Sequence, residues 1–546
     1  MFGWNPSSAG NSARISARQN STRSRQFLPF TLCFLLTLFA GCAKQSASSG
    51  SSILRISQRN EPGTLDPALA NLPDEFFIIR ALSEGLVTPN PDGGEPLPAA
   101  AERWEASDDG LTWTFQLRPN ATWSNGEPVT ATDFIASFQR VLTPAIAAPK
   151  ASLLFMVRGA EAFYRGELTD FAQVGFAAPD AHTLRITLAR PMPQFLVYVA
   201  SGPWIPVNPR VVQKLGREWI RPGKFVGNGP FVLREWQPNQ RIVVERRADY
   251  WDAGRVHLDG IHFLAFDNGD AEERAFRAGQ VDVTMSVPTT KITGYAAQNP
   301  SPLRQIPLQE TRFLAFNLNR APLGDIRVRR ALSLTIDRQA IATHIKQGGQ
   351  IQAYQFAPDG LGGFRHTDSL IEDAAEARAL LAEAGFPNGA GFPVLEMTGW
   401  SDTPVLEAVQ AMWKQQLGIT IRIGVRDAKV HLASLESGEY DIAFMTAIPD
   451  VADPANLLAD LRSTSSANYS QWRNPDYDAL LDEAAAATSE SARLAILAKA
   501  NALISAQCPV APIYFNTKNI LLSPRVKNWR EDMLWTRFYK DVSLSP

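Results

Sequence analysis

Between residues 394 and 446 the chain alternates two periodicities, and this alternation limits the folds open to it. Residues 394–398 read as a strand, 404–417 as a helix stopped by Gly418, and 419–425 as a strand with apolar residues at every second position. A helix over 428–436 and a strand over 440–446 follow. A βαβαβ run implies a mostly parallel sheet covered by helices, hence an α/β fold. In open parallel sheets ligands lie just beyond the carboxyl ends of the strands. The residues after the last strand are Ile448-Pro449-Asp450-Val451-Ala452-Asp453-Pro454, so Asp450 takes a cleft-facing position. The same acid could instead cap the next helix beside Asp453.

At 546 residues the chain is long enough for two or three domains of about 100–200 residues each. Strands are expected at 53–57, 111–117, 185–188 and 241–245, and a helix over 78–87 closing at Gly85. Thr130 and Asp133 form a capping-box-like helix start, Asp373 can cap a helix running through Leu381, and 478–507 reads as one long helical region. Asn228-Gly229-Pro230 reads as a tight turn, with a place on the cleft wall as the alternative. Trp104, Trp113 and Trp123 read as core, and Tyr250 and Trp251 as packing. Arg327, Arg329 and Arg330 form a basic cluster at a helix start, read as surface or interlobe ion pairing, with contact to an acidic ligand as the alternative. No internal repeat is visible.

The N-terminus sets the compartment. Residues 1–26 carry Arg14, Arg18, Arg23 and Arg25 with no acid, and an apolar run of 14 residues follows over 27–40. That run is short for a bilayer span and fits the apolar core of an export signal. It ends Leu38-Phe39-Ala40-Gly41-Cys42, which resembles the lipobox of bacterial lipoproteins, with Phe39 where Leu is usual. Cleavage after residue 41 would leave Cys42 lipidated and residues 42–52 as a Ser-rich tether; simple cleavage with Cys42 incidental is the alternative. Cys33 would leave with the signal, so Cys508 stands alone as a buried thiol, and no intramolecular disulfide is expected.

The formal charge of −2 argues against nucleic acid as the main partner. No pair of the six histidines has HExxH spacing, and there is neither a G-x-S-x-G elbow nor a phosphate loop. No catalytic residue, metal ligand or cofactor is therefore assigned. A spatial pair of carboxylates acting as a hydrolase leaves no sequence motif and stays open.

Several segments resemble one family together. Residues 98–118 (Pro-Ala-Ala-Ala-Glu-Arg-Trp-Glu-Ala-Ser-Asp-Asp-Gly-Leu-Thr-Trp-Thr-Phe-Gln-Leu-Arg) and Trp123-Ser124-Asn125-Gly126-Glu127-Pro128-Val129-Thr130 resemble the family 5 extracellular solute-binding proteins of peptide-type ABC importers. So do Asn228-Gly229-Pro230-Phe231, Trp236 with Asn239, Asp249-Tyr250-Trp251, Arg327-Val328-Arg329 with Ala331-Leu332, and Asp337-Arg338. The resemblance runs from about residue 54 to 540.

It implies a bilobal periplasmic-binding-protein-like fold (type II, cluster C) with an extra domain inserted in the first lobe. Transferred here, lobe one takes 53–90, 203–305 and 515–546, the inserted domain 91–202, and lobe two 306–514, with a hinge near 305 and 515. The lobes would swing shut around a ligand. The implied role is a lipid-anchored, monomeric, periplasmic or cell-surface protein that captures short peptides and passes them to an ABC permease and ATPase. Another ligand of the family (an opine, a haem or nickel complex, a cationic oligosaccharide) and a permease-independent surface role are the alternatives.

In resembling oligopeptide binders an aspartate at the Asp450 position pairs with the peptide's N-terminal ammonium, which implies a buried acid here. Asn71, Leu72, Thr446, Ala447 and Ile448 are expected to flank a peptide bound as an added strand. The departures are Thr446-Ala447 for Gly-Trp, Val451 for Tyr, Ala428 for Trp, and Phe444 for an arginine that could meet a ligand carboxylate. They imply less aromatic pockets and a ligand that still presents a cation.

Overall fold

The computed structural model describes residues 51–367 and 370–545. The expected export signal, Cys42 and residues 43–50 of the expected tether lie outside the described residues. Among the described residues no helix is long and apolar enough to cross a membrane.

Three sheets carry the structure. In the first, Ile53–Gln58 pairs in parallel with Gly260–Ala265, which continues antiparallel to Arg241–Arg246 and then to Phe231–Gln237. Leu54, Ile56, Val244, Ile261 and Phe263 point into one core with Ile78, Ile79 and Leu82 of the helix Pro73–Leu82. The second sheet is antiparallel, in the order Ala101–Ala106, Thr112–Leu117, Thr183–Thr187, Phe176–Asp180. The amphipathic helix Ala131–Leu142 lays Phe134, Phe138, Val141 and Leu142 on its core, where Trp123 is wholly buried and Trp104 and Trp113 partly so.

The third sheet has six strands: Ile351–Gln352, Val510–Leu521, Leu303–Phe316, Ile442–Ala447, Leu395–Gly399 and Ile421–Val425. Only the last three are mutually parallel, as the βαβαβ run requires. The others pair antiparallel, so the sheet is mixed rather than mostly parallel. The local pattern could not show this, because the added strands come from segments far away in the chain. Leu303–Phe316 and Val510–Leu521 run side by side from one core into another. Ile520 and Ile306 belong with the first sheet; Leu314, Phe316, Ala511 and Ile513 belong with the third. Their ladder is interrupted between Pro307 and Thr311.

Two helix boundaries differ from the sequence reading. The helix expected over 78–87 is Pro73–Leu82, because Glu75 accepts from the N–H groups of Leu72 (3.0 Å) and Asn71 (2.8 Å) and so starts the helix earlier. The region 478–507 is two helices, Pro475–Ala486 and Glu490–Gln507, separated where Ser489 caps the second. Asn228-Gly229-Pro230 closes on the end of helix Pro73–Leu82: Gly229 N–H donates to Leu82 O (2.9 Å), and a Cβ on Gly229 would lie 2.6 Å from the Leu82 carbonyl carbon. Tyr250 and Trp251 both donate to Glu84 (2.6 and 2.5 Å). Arg327 and Arg330 pair with Asp325 and Glu376, whereas Arg329 is buried and donates to main-chain carbonyls, among them Cys508 O at 3.0 Å. Burial pushes the Cys508 thiol up to about 11.

Candidate functional site

Where the three cores meet, a cavity of about 710 Å3 opens, within the usual range for small-molecule sites. Its wall is drawn from segments distant in sequence, among them 71–73 with Phe76 and Phe77, 200–203, 446–452 and 531–536. All six sequence-assigned contact residues of the mature body, Asn71, Leu72, Thr446, Ala447, Ile448 and Asp450, line it. Phe444, Ala428 and the 228–230 turn do not. Phe444 is fully buried between sheet and helix, so that position offers the cavity nothing.

Asp450 follows the strand Ile442–Ala447, and its carboxylate accepts from the ammonium of Lys150. The side chains are 34% and 16% exposed, which corrects the expectation of a buried acid. The physical reason is that Lys150, 300 residues away, reaches across and holds the carboxylate at the rim. The helix-capping role falls to Asp453 instead. It caps Pro454–Leu458 through Ala455 N–H (3.0 Å) and is buried, pairing with Arg493 (2.8 Å) and accepting from Tyr198 Oη (2.9 Å). Asp450's side chain is thereby left facing the cavity.

The strand-addition geometry needs correction on one side. The N–H groups of Asn71 and Leu72 already donate to Glu75, so this segment has no free donor to offer an added strand. On the other side Thr446 Oγ1 donates to the buried Glu310 (3.1 Å), and Ile448 stays 37% exposed beside the cavity. The wall is not devoid of aromatics either: Phe76, Phe77 and Trp535 contribute, from positions that the family pattern did not mark.

A comparison with known proteins decides what kind of cavity this is. The model of the bacterial extracellular solute-binding proteins, family 5, matches residues 95–469. The chain belongs to this family. The periplasmic murein peptide-binding protein MppA of Escherichia coli is 34% identical over 88% of this chain and 91% of its own. The solved structure of the Escherichia coli murein tripeptide-binding protein MppA superposes with a TM-score of 0.82, covering 91% of this chain and 99% of that one. An oligopeptide ABC transporter protein of Borrelia burgdorferi (28% identical, TM-score 0.81, 91% and 100% covered) is similar as well. So is Haemophilus influenzae OppA in complex with RPPGFSPFR (28%, TM-score 0.80, 91% and 99% covered). The chain thus has the type II periplasmic-binding-protein fold of the peptide-binding proteins, and its relatives are named for binding.

Within this family 5 protein, three features of the cavity escaped the sequence reading. Lys150 is one. The second is the segment 531–536, which sits over a buried charge cluster: Glu531 accepts from Lys518 (2.6 Å) and Arg537 (3.0 Å), all three at most 2% exposed. Burial pulls Lys518 down to about 8; burial alone would raise Glu531, but the two cations hold it below the usual carboxylate range. The third is Asp460, in the short turn Ala459–Leu461, pushed up to about 7 by burial and by the charge of Asp450. The signal that could have found it is an acid inside the apolar run Leu457-Leu458-Ala459-Asp460-Leu461.

Proposed function

We propose that this chain is the substrate-binding component of an ABC importer, capturing short peptides in the described cavity and handing them to a membrane permease. It does no covalent chemistry on them. Asp450 receives the peptide's α-ammonium. The observation that carries this reading is internal: an ammonium, that of Lys150, already sits on Asp450 at the cavity wall. A cationic α-amine and a carboxylate attract, and more strongly once a bound ligand displaces water from around them. The names of the three relatives reported above support a peptide as the ligand.

The lobe boundaries proposed are those given above, with 91–202 as the inserted domain. The two strands that pass between cores, Leu303–Phe316 and Val510–Leu521, are the hinge. Lipid at Cys42 anchors the monomer outside the inner membrane.

Native mass spectrometry of the purified protein, followed by incubation with a labelled peptide mixture, tests the reading. Retained, intact peptide is the expected result. Cleaved peptide, or a protein that retains no peptide at any concentration tested, overturns it.

A further inference from the structure

Trp535 stands on the cavity wall in a backbone conformation that a bulky side chain rarely adopts, with φ of 65°. Such a residue persists only where its surroundings over-determine it, and such residues gather at ligand sites. Here the surroundings hold both backbone and ring. The Asp532 carboxylate accepts from the N–H groups of Leu534 (2.8 Å) and Thr536 (2.7 Å), closing the turn around Trp535. The indole N–H donates to Glu310 (3.3 Å). Lys518, 2% exposed, stands 4.9 Å from the ring centre. It therefore meets the ring from the protein side and leaves the remaining surface to the cavity.

An irregularity in the sheet places Glu310 for this contact. The ladder between Leu303–Phe316 and Val510–Leu521 pairs Pro307 with Thr517 and Thr311 with Phe515, so residues 308–310 stand opposite Asn516 alone. A bulge of this kind re-aims a side chain. Here the Glu310 carboxylate, 1% exposed, comes to lie behind the cavity wall. Its two oxygens divide the work. Oε1 accepts from Arg312 (2.7 Å), Asn516 (3.0 Å) and Thr446 Oγ1 (3.1 Å), while Oε2 accepts from the indole.

We infer that Trp535 is a specificity-determining residue whose ring receives an apolar or aromatic side chain of the ligand, and that Glu310 is the positioning residue that fixes the ring for it. A cationic side chain is the poorer guest, because Lys518 already draws on the electron-rich face of the indole. Phe76 and Phe77, on the same wall, add apolar surface. The inference rests on the reading of the cavity as a peptide site.

The probes are two tripeptide mixtures with free α-amines, one built from Phe and Leu and the other from Ser and Asn, scored by retention on the intact protein. The parent should retain the apolar mixture more strongly, and Trp535→Ala should cut that ratio about 2–10-fold, the span of one aromatic contact. Glu310→Gln should cut the ratio comparably and leave retention of the polar mixture nearly unchanged. Glutamine keeps one acceptor oxygen for three donors and turns its NH2 against the indole N–H. In the Trp535→Ala background Glu310→Gln should change the ratio no further. Trp535→Phe removes the same N–H with the charge of Glu310 intact; it should also lower the ratio, and it decides the positioning role if Glu310→Gln does not fold. A ratio untouched by Trp535→Ala overturns the inference. So does a Glu310→Gln loss that is equal for both mixtures or persists in the Trp535→Ala background, or a parent-like ratio in Trp535→Phe. If the parent retains neither mixture, the peptide-binding reading falls and this inference with it.

Discussion

Asp450 and Asp460 are both aspartates of one cavity wall, yet their surroundings give them different work. Asp450 is held by Lys150 at the rim; Asp460 is not held by anything described. Asp450→Ala should weaken free-amine peptides about 10–100-fold, the usual range for one charge-assisted hydrogen bond, and leave N-acetylated peptides nearly unchanged. Calorimetry showing equal losses for both would remove the ammonium assignment. Asp460 also predicts a stability effect. Its folded value of about 7 lies above the ordinary 3.8, so between those values the folded chain holds a proton that the unfolded chain has lost. Its ionised form therefore weighs against folding above pH 7, and that penalty is relieved as pH falls toward 4. Asp460→Asn should raise stability at pH 8 by on the order of 1–2 kcal/mol, after discounting for solvent screening, and by nothing near pH 4. Denaturant titrations of both proteins at the two pH values check this; a gain of the same size at both would show that the group is not linked to folding, and a larger gain at pH 4 would be the wrong sign of linkage.

At the scale of elements, Glu75 is the pivot between fold and site. One buried carboxylate accepts from Gly63 (3.1 Å), Thr64 (3.3 Å), Asn71 (2.8 Å) and Leu72 (3.0 Å), tying the turn-rich segment to the helix Pro73–Leu82 and fixing two residues of the cavity wall. Glu75→Ala should cost roughly 2–4 kcal/mol by leaving those N–H groups without an acceptor, while Glu75→Gln, which keeps an acceptor oxygen, should cost less. Chemical unfolding midpoints for the two variants decide it, and a loss under about 0.5 kcal/mol for Glu75→Ala would show the N–H groups rebonding elsewhere. The same residue shows why the sequence was only partly legible. Apolar spacing marked the βαβαβ unit, and Asp450 could be placed because a residue just past a strand end is set by local geometry. The start of helix Pro73–Leu82 was misplaced because its cap acts from inside the helix, from Glu75, and Leu72 ahead of it is no usual cap. Lys150, Glu531 and Trp535 reach the cavity only through long-range closure of the chain, which leaves no periodicity to read. The departures at Thr446-Ala447 suggested a wall poor in aromatics; Phe76, Phe77 and Trp535, from elsewhere in the chain, occupy it instead.

For the whole molecule, the question is how a binding protein without a membrane-spanning helix among its described residues would stay beside the permease proposed for it. Cys42, outside the described residues, carries the proposed answer. A single acyl chain binds a membrane only marginally, whereas two or more hold it stably, each buried methylene contributing about 0.8 kcal/mol. A diacylated Cys42 would therefore need no help from the folded body. Anchor and cavity should separate cleanly under mutation. Cys42→Ser should move the protein from the membrane pellet to the soluble fraction of fractionated cells, with peptide affinity unchanged within experimental scatter, because the described cavity wall is drawn from residues between Asn71 and Thr536. If the variant still sediments with membranes, some surface of the folded body binds them and the lipid is not the anchor. If it is released but loses its peptide affinity, the tether and the cavity are coupled, and the picture of an independent binding body on a leash fails.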